Sequence, residues 1–518
     1  MIVDPQPTGA GHPAPGFVTV RLPVLAVLGA WAVAQALPQP PARPKEDWTP
    51  VVQGVDYRAY VFPLPNRVFV TRMDLSNPEI ILDTSVAQAT LAQGKETVSS
   101  MAARYDGALN AWGGVWGSTH RVVAAINGSA YDLTTGIPFD GQFQSGWMIQ
   151  RYASNSGGSG VVWTRDREAF VGGCLQYNGD PHTATLLRTG EAAEVDALNT
   201  ARDDDGLWMY TSHFGSHTPE GAGPIQVRIE VARPIGPRPQ PRMMLGVVRD
   251  LADGRHPFQI PFAHIVLTAR GSGIEPFLRS FEVGDRVGFS TDLVDLSLDC
   301  QRRSGRTWSE AYASLGGGFV FLRNGQIRTS DDLGANTRDP RTAICLNDEF
   351  VYFVVVDGRQ NAWSVGMTLE ELAGFCQDEL AATWGVNQDG GGSSAMWVDG
   401  VLRNRPSDGG ERAVGNGWLM LAVQPARRSN LFEEGFRVLT QGRAVLRLGP
   451  GTEYEEAEAI PYGEQVTIAP ILADVQGVWV RGSYWWKVAL GEQEGWLPQD
   501  VLVSPDRLLA VFQVPPRD

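Results

Sequence analysis

From Val55 onward the chain alternates short apolar runs with turn residues, a pattern of strands and not of long helices. Tyr57–Pro63, Val68–Leu75 and Ile80–Ala87 are β-branched stretches that predict three consecutive strands. Val98–Arg104 predicts a helix with Thr97 or Ser99 as its cap. Arg121–Ile126 predicts a buried strand ending at the Asn127-Gly128 turn. Residues 152–310 read as strands and loops, with His264–Leu267 and Asp285–Phe289 the clearest strands and a Pro-rich break at Pro234–Pro241. Phe350–Val356 is continuously apolar, as a strand covered on both faces must be. A helix over Leu369–Thr383 follows from the apolar stripe Leu369, Leu372, Cys376 and Leu380, and Thr368 with Glu371 forms a capping box. Asp399-Gly400 between Ala395–Val398 and Val401–Arg403 is a hairpin turn.

Before Val55 the pattern is different. Residues 1–21 are Pro- and Gly-rich and read as disordered. Arg21, the apolar run Leu22–Ala34 and the small-x-small Ala34-Gln35-Ala36 have the layout of a signal peptide or uncleaved anchor over 22–37. A Pro-rich linker follows over 38–54. The remaining divisions are a main domain at 55–424, a linker at 425–435 and a compact all-β segment at 436–505. The expected site of action is therefore secreted or cell-envelope anchored, with membrane contact only through an uncleaved N-terminal segment.

Charge and composition sharpen this picture. The 59 Gly, 34 Pro and 16 Trp suit a turn-rich chain. Net charge is −15, which argues against a nucleic-acid partner. Cys174, Cys300, Cys345 and Cys376 form no CxxC pair. Cys345 and Cys376 read as small buried hydrophobes, and a disulfide stays open in an oxidising compartment.

The strongest chemical signal is the loop Asn387-Gln388-Asp389-Gly390-Gly391-Gly392-Ser393-Ser394. Its glycines let backbone approach a ligand, successive N–H groups can hold an anion, and Asp389 at its edge can act as base or nucleophile. The bland alternative is a glycine-rich turn. Asp357 ends the Phe350–Val356 strand, and comes near Asp389 if the two flanking strands pair. Arg338 and Arg341, with Thr342, offer a fork for a phosphate, or, for Arg341, an ion pair with Asp357. Asn127 and Asp132 could hold a sugar hydroxyl or stabilise a turn. His213 and His217 are too sparsely accompanied to make a metal site persuasive. Asp203-Asp204-Asp205-Gly206 lacks EF-hand spacing, and there is no nucleophile elbow, H-E-x-x-H or Walker loop. No cofactor is called for, and a structural or catalytic divalent metal is left open.

Taken in order, Pro340-Arg341-Thr342-Ala343, Val356-Asp357-Gly358, Gly366–Ala373, Asn387–Ser394, Val398-Asp399-Gly400 and Arg405–Asp408 resemble the phosphodiester glycosidase family, with Ala125–Gly128 and Tyr131-Asp132 upstream. The likeness covers about 55–423, loosely over 152–310; Gln388 and Tyr131 depart from the family's usual leucine and phenylalanine. Leu446–Gly451 and Gly495-Trp496 resemble bacterial SH3-like domains, which implies a cell-wall ligand for 436–505. The expected fold class is α+β: a mixed-sheet phosphodiester glycosidase domain followed by a small SH3-like barrel. The resemblance implies hydrolysis of the glycosidic bond of a sugar-1-phosphodiester, such as N-acetylglucosamine-1-phosphate linked to a glycan. In that reading Asp389, Asp357 and Arg341 are catalytic, Arg341 and the Gly390–Gly392 N–H groups hold the phosphate, and Asn127 holds a sugar hydroxyl. Asp132, Arg338, Thr342, Asn387, Ser393 and Ser394 complete the substrate-binding set. The alternatives are a non-catalytic polysaccharide-binding protein and a metal-dependent phosphodiesterase.

Overall fold

The computed structural model describes residues 47–114, 116–152, 159–177, 182–235, 244–254, 256–290, 293–295, 305 and 308–505. The export segment at 22–37 and most of the linker at 38–54 lie outside these residues, and the first strand, Thr49–Val52, begins inside the stretch read as linker. None of the described helices is long and apolar enough to cross a membrane.

The expected α+β class with a mixed sheet is overturned. The chain is mostly β, 46% strand against 11% helix, in several antiparallel sheets. Among the described pairings only Ala197–Leu198 with Gly206–Thr211 is parallel. The physical reason is that pairing direction is set by partners distant in sequence and is not legible strand by strand. Among the described residues of 159–318 strand follows strand, with the five-residue helix Glu275–Arg279 and the short turn of helix Trp308–Glu310 between them.

Two sheets carry the site. An eight-stranded sheet runs in the order Thr49–Val52, Val55–Phe62, Asn66–Asp74, Phe350–Val356, Arg341–Leu346, Trp384–Asn387, Val320–Arg323, Gln326–Ile327. A five-stranded sheet runs Val401–Leu402, Met396–Val398, Thr119–Asn127, Asn416–Gln424, Ile80–Val86. The strand Phe350–Val356 explains its own composition. Phe353 and Val355 pack towards the five-stranded sheet, with Met396 and Trp418. Tyr352, Val354 and Val356 face the opposite way, against Leu372 and Cys376 of the Leu369–Leu380 helix. That helix starts where the sequence places it: the Thr368 side chain accepts from Glu371 N and the Glu371 carboxylate from Thr368 N. The Val98–Tyr105 helix likewise begins at Thr97, which accepts from Ser100 N.

Cys345 and Cys376 are free and buried, and Cys174 is disulfide-bonded. Residues 437–503 form a further antiparallel sheet. It is docked onto the preceding body through an apolar core, not hung from a tether. Phe262 meets Tyr454 and Trp496 edge-on at 6.0 and 5.8 Å. Buried Lys487 reaches Glu230 at 3.6 Å and Glu494 at 2.6 Å. Two buried charges tolerate that setting because they meet each other and further polar groups; Leu472 N donates to Glu230 and Lys487 to the Pro470 carbonyl.

Candidate active site

The register of the central strands sets the site. Arg341 pairs with Val356, and Ala343 with Asn387, so the chain leaves both flanking strands at the same end of the sheet. Asp357 and Asp389 therefore emerge on one edge. Their strands do not pair with each other as the sequence reading required; Arg341–Leu346 lies between them.

Asn127 ends a strand of the other sheet and reaches across to this edge. It is wholly buried. Its Nδ2 donates to the Asp389 carbonyl at 2.7 Å. Its Oδ1 accepts from Thr342 Oγ1 at 2.8 Å and from Ala395 N at 3.2 Å. Asp389 N donates to Gly128 O, Gln388 N to Thr342 O and Gly391 N to Pro340 O. The Asp389 loop is thus bolted to both sheets. Asn127 and Thr342 act as braces: the Asn127 amide is engaged at both ends, and the Thr342 hydroxyl gives its proton to it.

The glycines serve this geometry. Gly391 has φ +62° with the Arg359 guanidinium over it, and a Cβ on Gly392 would run into Arg412 and Asp408. With the Gly391 N–H given to Pro340 and the Gly390 N–H to the Asp389 carboxylate, the expected nest of three free N–H groups does not form.

Asp389 itself is half-buried. Burial raises its carboxyl above the usual range, opposed by the Ser393 hydroxyl, the Arg412 charge and the Gly390 N–H. Tyr131, buried beside it, donates to the Ala413 carbonyl at 2.9 Å. Its phenol is raised by burial and by the Asp389 charge, and lowered by Ser393 and Arg412. Arg412 holds Asp408 at 2.7 Å and reaches Ser393 at 3.5 Å. Arg359 holds Asp339 at 2.8 Å. Asp389, Ser393, Tyr131 and Arg412 form one cluster, with Arg359 over the adjoining loop.

Several sequence candidates are committed elsewhere. Arg341 donates Nε to Met367 O at 2.8 Å and Nη2 to Gly334 O and Thr337 O at 2.6 and 2.5 Å. It clamps backbone in place of a phosphate, and does not pair with Asp357. Asp357 is buried and accepts from Trp363 Nε1 at 2.7 Å, Asn404 Nδ2 at 3.0 Å and Arg405 N at 3.0 Å. Burial raises its carboxyl, and those donors oppose the rise. It ties the 404–405 segment to the sheet. Arg338 is exposed and paired with Glu371. Asp132 closes a turn by accepting from Thr134 N and Thr135 N. His213 and His217 gather no third ligand; among the described residues no group of three or more His, Cys, Asp or Glu is placed to hold a metal.

Asn387 Oδ1, Gln388 Oε1 and Ser394 Oγ are buried without a partner. Buried polar atoms normally have one, so this loop has capacity for a ligand or water. Arg359 and Arg412 were not singled out from sequence. Arg359 directly follows Asp357-Gly358, which was a usable signal; Arg412 lies in no motif and becomes visible only through its contact with Ser393.

Residues 270–421 match the family described as phosphodiester glycosidase. The match includes Asp357, Arg359, Asp389 and Arg412, and leaves out Asn127 and Tyr131. No curated protein matches the chain. Among solved structures, a hypothetical protein from Synechocystis is 18% identical with a TM-score of 0.49, over 71% of this chain and 62% of that one. This chain thus spans less than two thirds of that protein's length. A Burkholderia pseudomallei protein described as exported is 20% identical, TM-score 0.46, over 68% and 74%. The catalytic domain of zebrafish N-acetylglucosamine-1-phosphodiester alpha-N-acetylglucosaminidase, auto-inhibited by its pro-peptide, is 14% identical, TM-score 0.35, over 72% and 84%.

Proposed function

We propose that the chain is a hydrolase that cleaves the glycosidic bond of a sugar-1-phosphodiester, with Asp389 as its working carboxylate. The observation that carries this reading is the Asp389 cluster: a half-buried carboxylate with a raised pKa, held beside Arg412 and below Arg359 on a braced loop. The family match over 270–421 supports the same chemistry.

Ordinary glycosidases need two carboxyl groups, one to protonate the leaving oxygen. Here Asp357 is tied into backbone and side-chain hydrogen bonds. A phosphate leaving group removes the need for the second, because it departs as a stable anion. What it needs is positive charge, which Arg412 and Arg359 supply in place of Arg341. Asp389 takes a proton from water as the water's oxygen bonds to the anomeric carbon. The bond from that carbon to the phosphate oxygen breaks, and its electron pair leaves with the phosphate. A base whose pKa is raised towards the working pH suits that step. The products are a free sugar and a phosphomonoester.

The disulfide at Cys174 and the signal-like 22–37 segment support action outside the cell or at its envelope. The sugar proposed is N-acetylglucosamine on a glycan acceptor. The test is incubation with N-acetylglucosamine-1-phospho-methylmannoside. Wild type should release N-acetylglucosamine, and Asp389→Asn should be slower by roughly 10²–10⁴-fold. Equal turnover by the folded variant would remove Asp389 from the chemistry.

A further inference from the structure

A cavity of about 390 Å³ lies where the C-terminal sheet meets the body, and it shares no lining residue with the Asp389 cluster. This size falls within the range of roughly 300–1,000 Å³ usual for small-molecule sites. Its walls come from both parts of the chain: Trp116, Trp147 and Phe262 on one side, Tyr454 and Arg481 on the other. Trp116 packs edge-on to Phe262 at 4.9 Å and lies 6.5 Å from Trp147.

Three lining residues, Thr90, Trp116 and His213, each carry a buried side-chain polar atom that has no partner: Oγ1, Nε1 and Nδ1. One such atom is unremarkable, but three around one cavity mark unfilled hydrogen-bonding capacity. The cationic lining groups are, by contrast, already matched: Arg104 holds Glu96 at 2.8 Å and Arg481 is 3.6 Å from Glu453, while half-exposed Glu455 accepts from the Ser216 hydroxyl. Burial also keeps His213 uncharged near neutrality, with its pKa lowered to about 4. An anionic ligand would find no free cation among these groups. A purely apolar one would leave the unpartnered atoms unsatisfied.

A ligand with a flat C–H face and several neutral hydroxyls answers both demands. We propose that this cavity binds a neutral sugar unit, separate from the Asp389 cluster. An indole face would take the ring, and the hydroxyls would meet Thr90, Trp116 and His213. The inference stands on this cavity and not on the hydrolase reading.

The test is calorimetric titration of the full chain with the trisaccharides of glucose, mannose and N-acetylglucosamine. Gly215 lines the cavity, and a Cβ there has only ordinary contacts at 3.7 Å, so Gly215→Leu fills the space and leaves every polar group. At least one trisaccharide should bind one-to-one, equally well to Asp389→Asn, and Gly215→Leu should abolish binding. Trp116→Phe keeps a ring but removes the N–H, and should weaken binding about fivefold, the worth of one neutral hydrogen bond. Binding by no trisaccharide, or loss of binding in Asp389→Asn, would overturn the proposal. So would binding of trialanine in place of any sugar. Should Gly215→Leu fail to fold, unchanged affinity in Trp116→Phe would refute the site on its own.

Discussion

Replacing Asn127 separates a brace from a substrate contact. Asn127→Ala removes three buried hydrogen bonds: to the Asp389 carbonyl, from Thr342 Oγ1 and from Ala395 N. The Thr342 hydroxyl and Ala395 N–H are left without this bond in a buried setting, and the Asp389 carbonyl in a part-buried one. An unsatisfied buried group costs about 1–3 kcal/mol, so the variant should lose roughly 3–5 kcal/mol once partial relaxation is allowed. Urea unfolding of wild type and variant gives that difference directly. Because the lost contact positions Asp389 by its backbone, kcat should fall at least tenfold while KM on the phosphodiester substrate stays within about threefold. Asn127→Asp is the companion variant. It keeps the acceptor for Thr342 but sets an oxygen against the Asp389 carbonyl, and should lose most of the same activity. A variant as stable as wild type, with raised KM and unchanged kcat, would refute the bracing role and return Asn127 to the sugar.

Other outcomes follow from the same geometry. Asp389 must be ionised to act as base, so kcat/KM should fall as pH drops through its raised pKa; Arg412 lowers that pKa, so Arg412→Gln should move this acid limb to higher pH, and an unmoved limb would disconnect the two residues. Asp83 is buried and raised to about 6, so its folded form favours the proton: the stability it contributes is complete below its unfolded pKa and lost as pH rises through about 6. Comparing unfolding at pH 4 and 7, wild type should lose about 2 kcal/mol more than Asp83→Asn, at 1.36 kcal/mol per pKa unit with pH 4 already just above the unfolded pKa; parallel pH profiles would contradict this. Lys487→Met strips buried Glu230 and exposed Glu494 of a partner while Glu230 keeps Arg249, and should destabilise the docked C-terminal sheet by about 2 kcal/mol, seen as earlier proteolytic cleavage between Gln424 and Arg437.

What could be read from sequence was local. The Phe350–Val356 strand and the capped Leu369–Leu380 helix carry their signals within a few neighbouring residues, and both appear where expected. The mixed-sheet α+β expectation failed because short strands are legible one by one while the direction in which they pair is set by partners far away in sequence, and nearly all the described pairings are antiparallel. The Asp389 loop stood out by composition, but its surroundings did not. Asn127 and Asp389 are 262 residues apart in sequence, and nothing local to either indicates that one braces the other. The partners of Arg341 are not legible in the sequence for a plain physical reason. A buried guanidinium demands acceptors, and backbone carbonyls from Gly334, Thr337 and Met367 satisfy it as well as a phosphate would. The arginines beside the loop come from segments with other work, Arg359 holding Asp339 and Arg412 holding Asp408.

Turnover of N-acetylglucosamine-1-phospho-methylmannoside in oxygen-18 water tests the central claim most directly. Attack at the anomeric carbon predicts the label in the released N-acetylglucosamine and none in the mannose phosphate. Label in a phosphate product would show that the phosphorus–oxygen bond breaks instead, and would contradict the account.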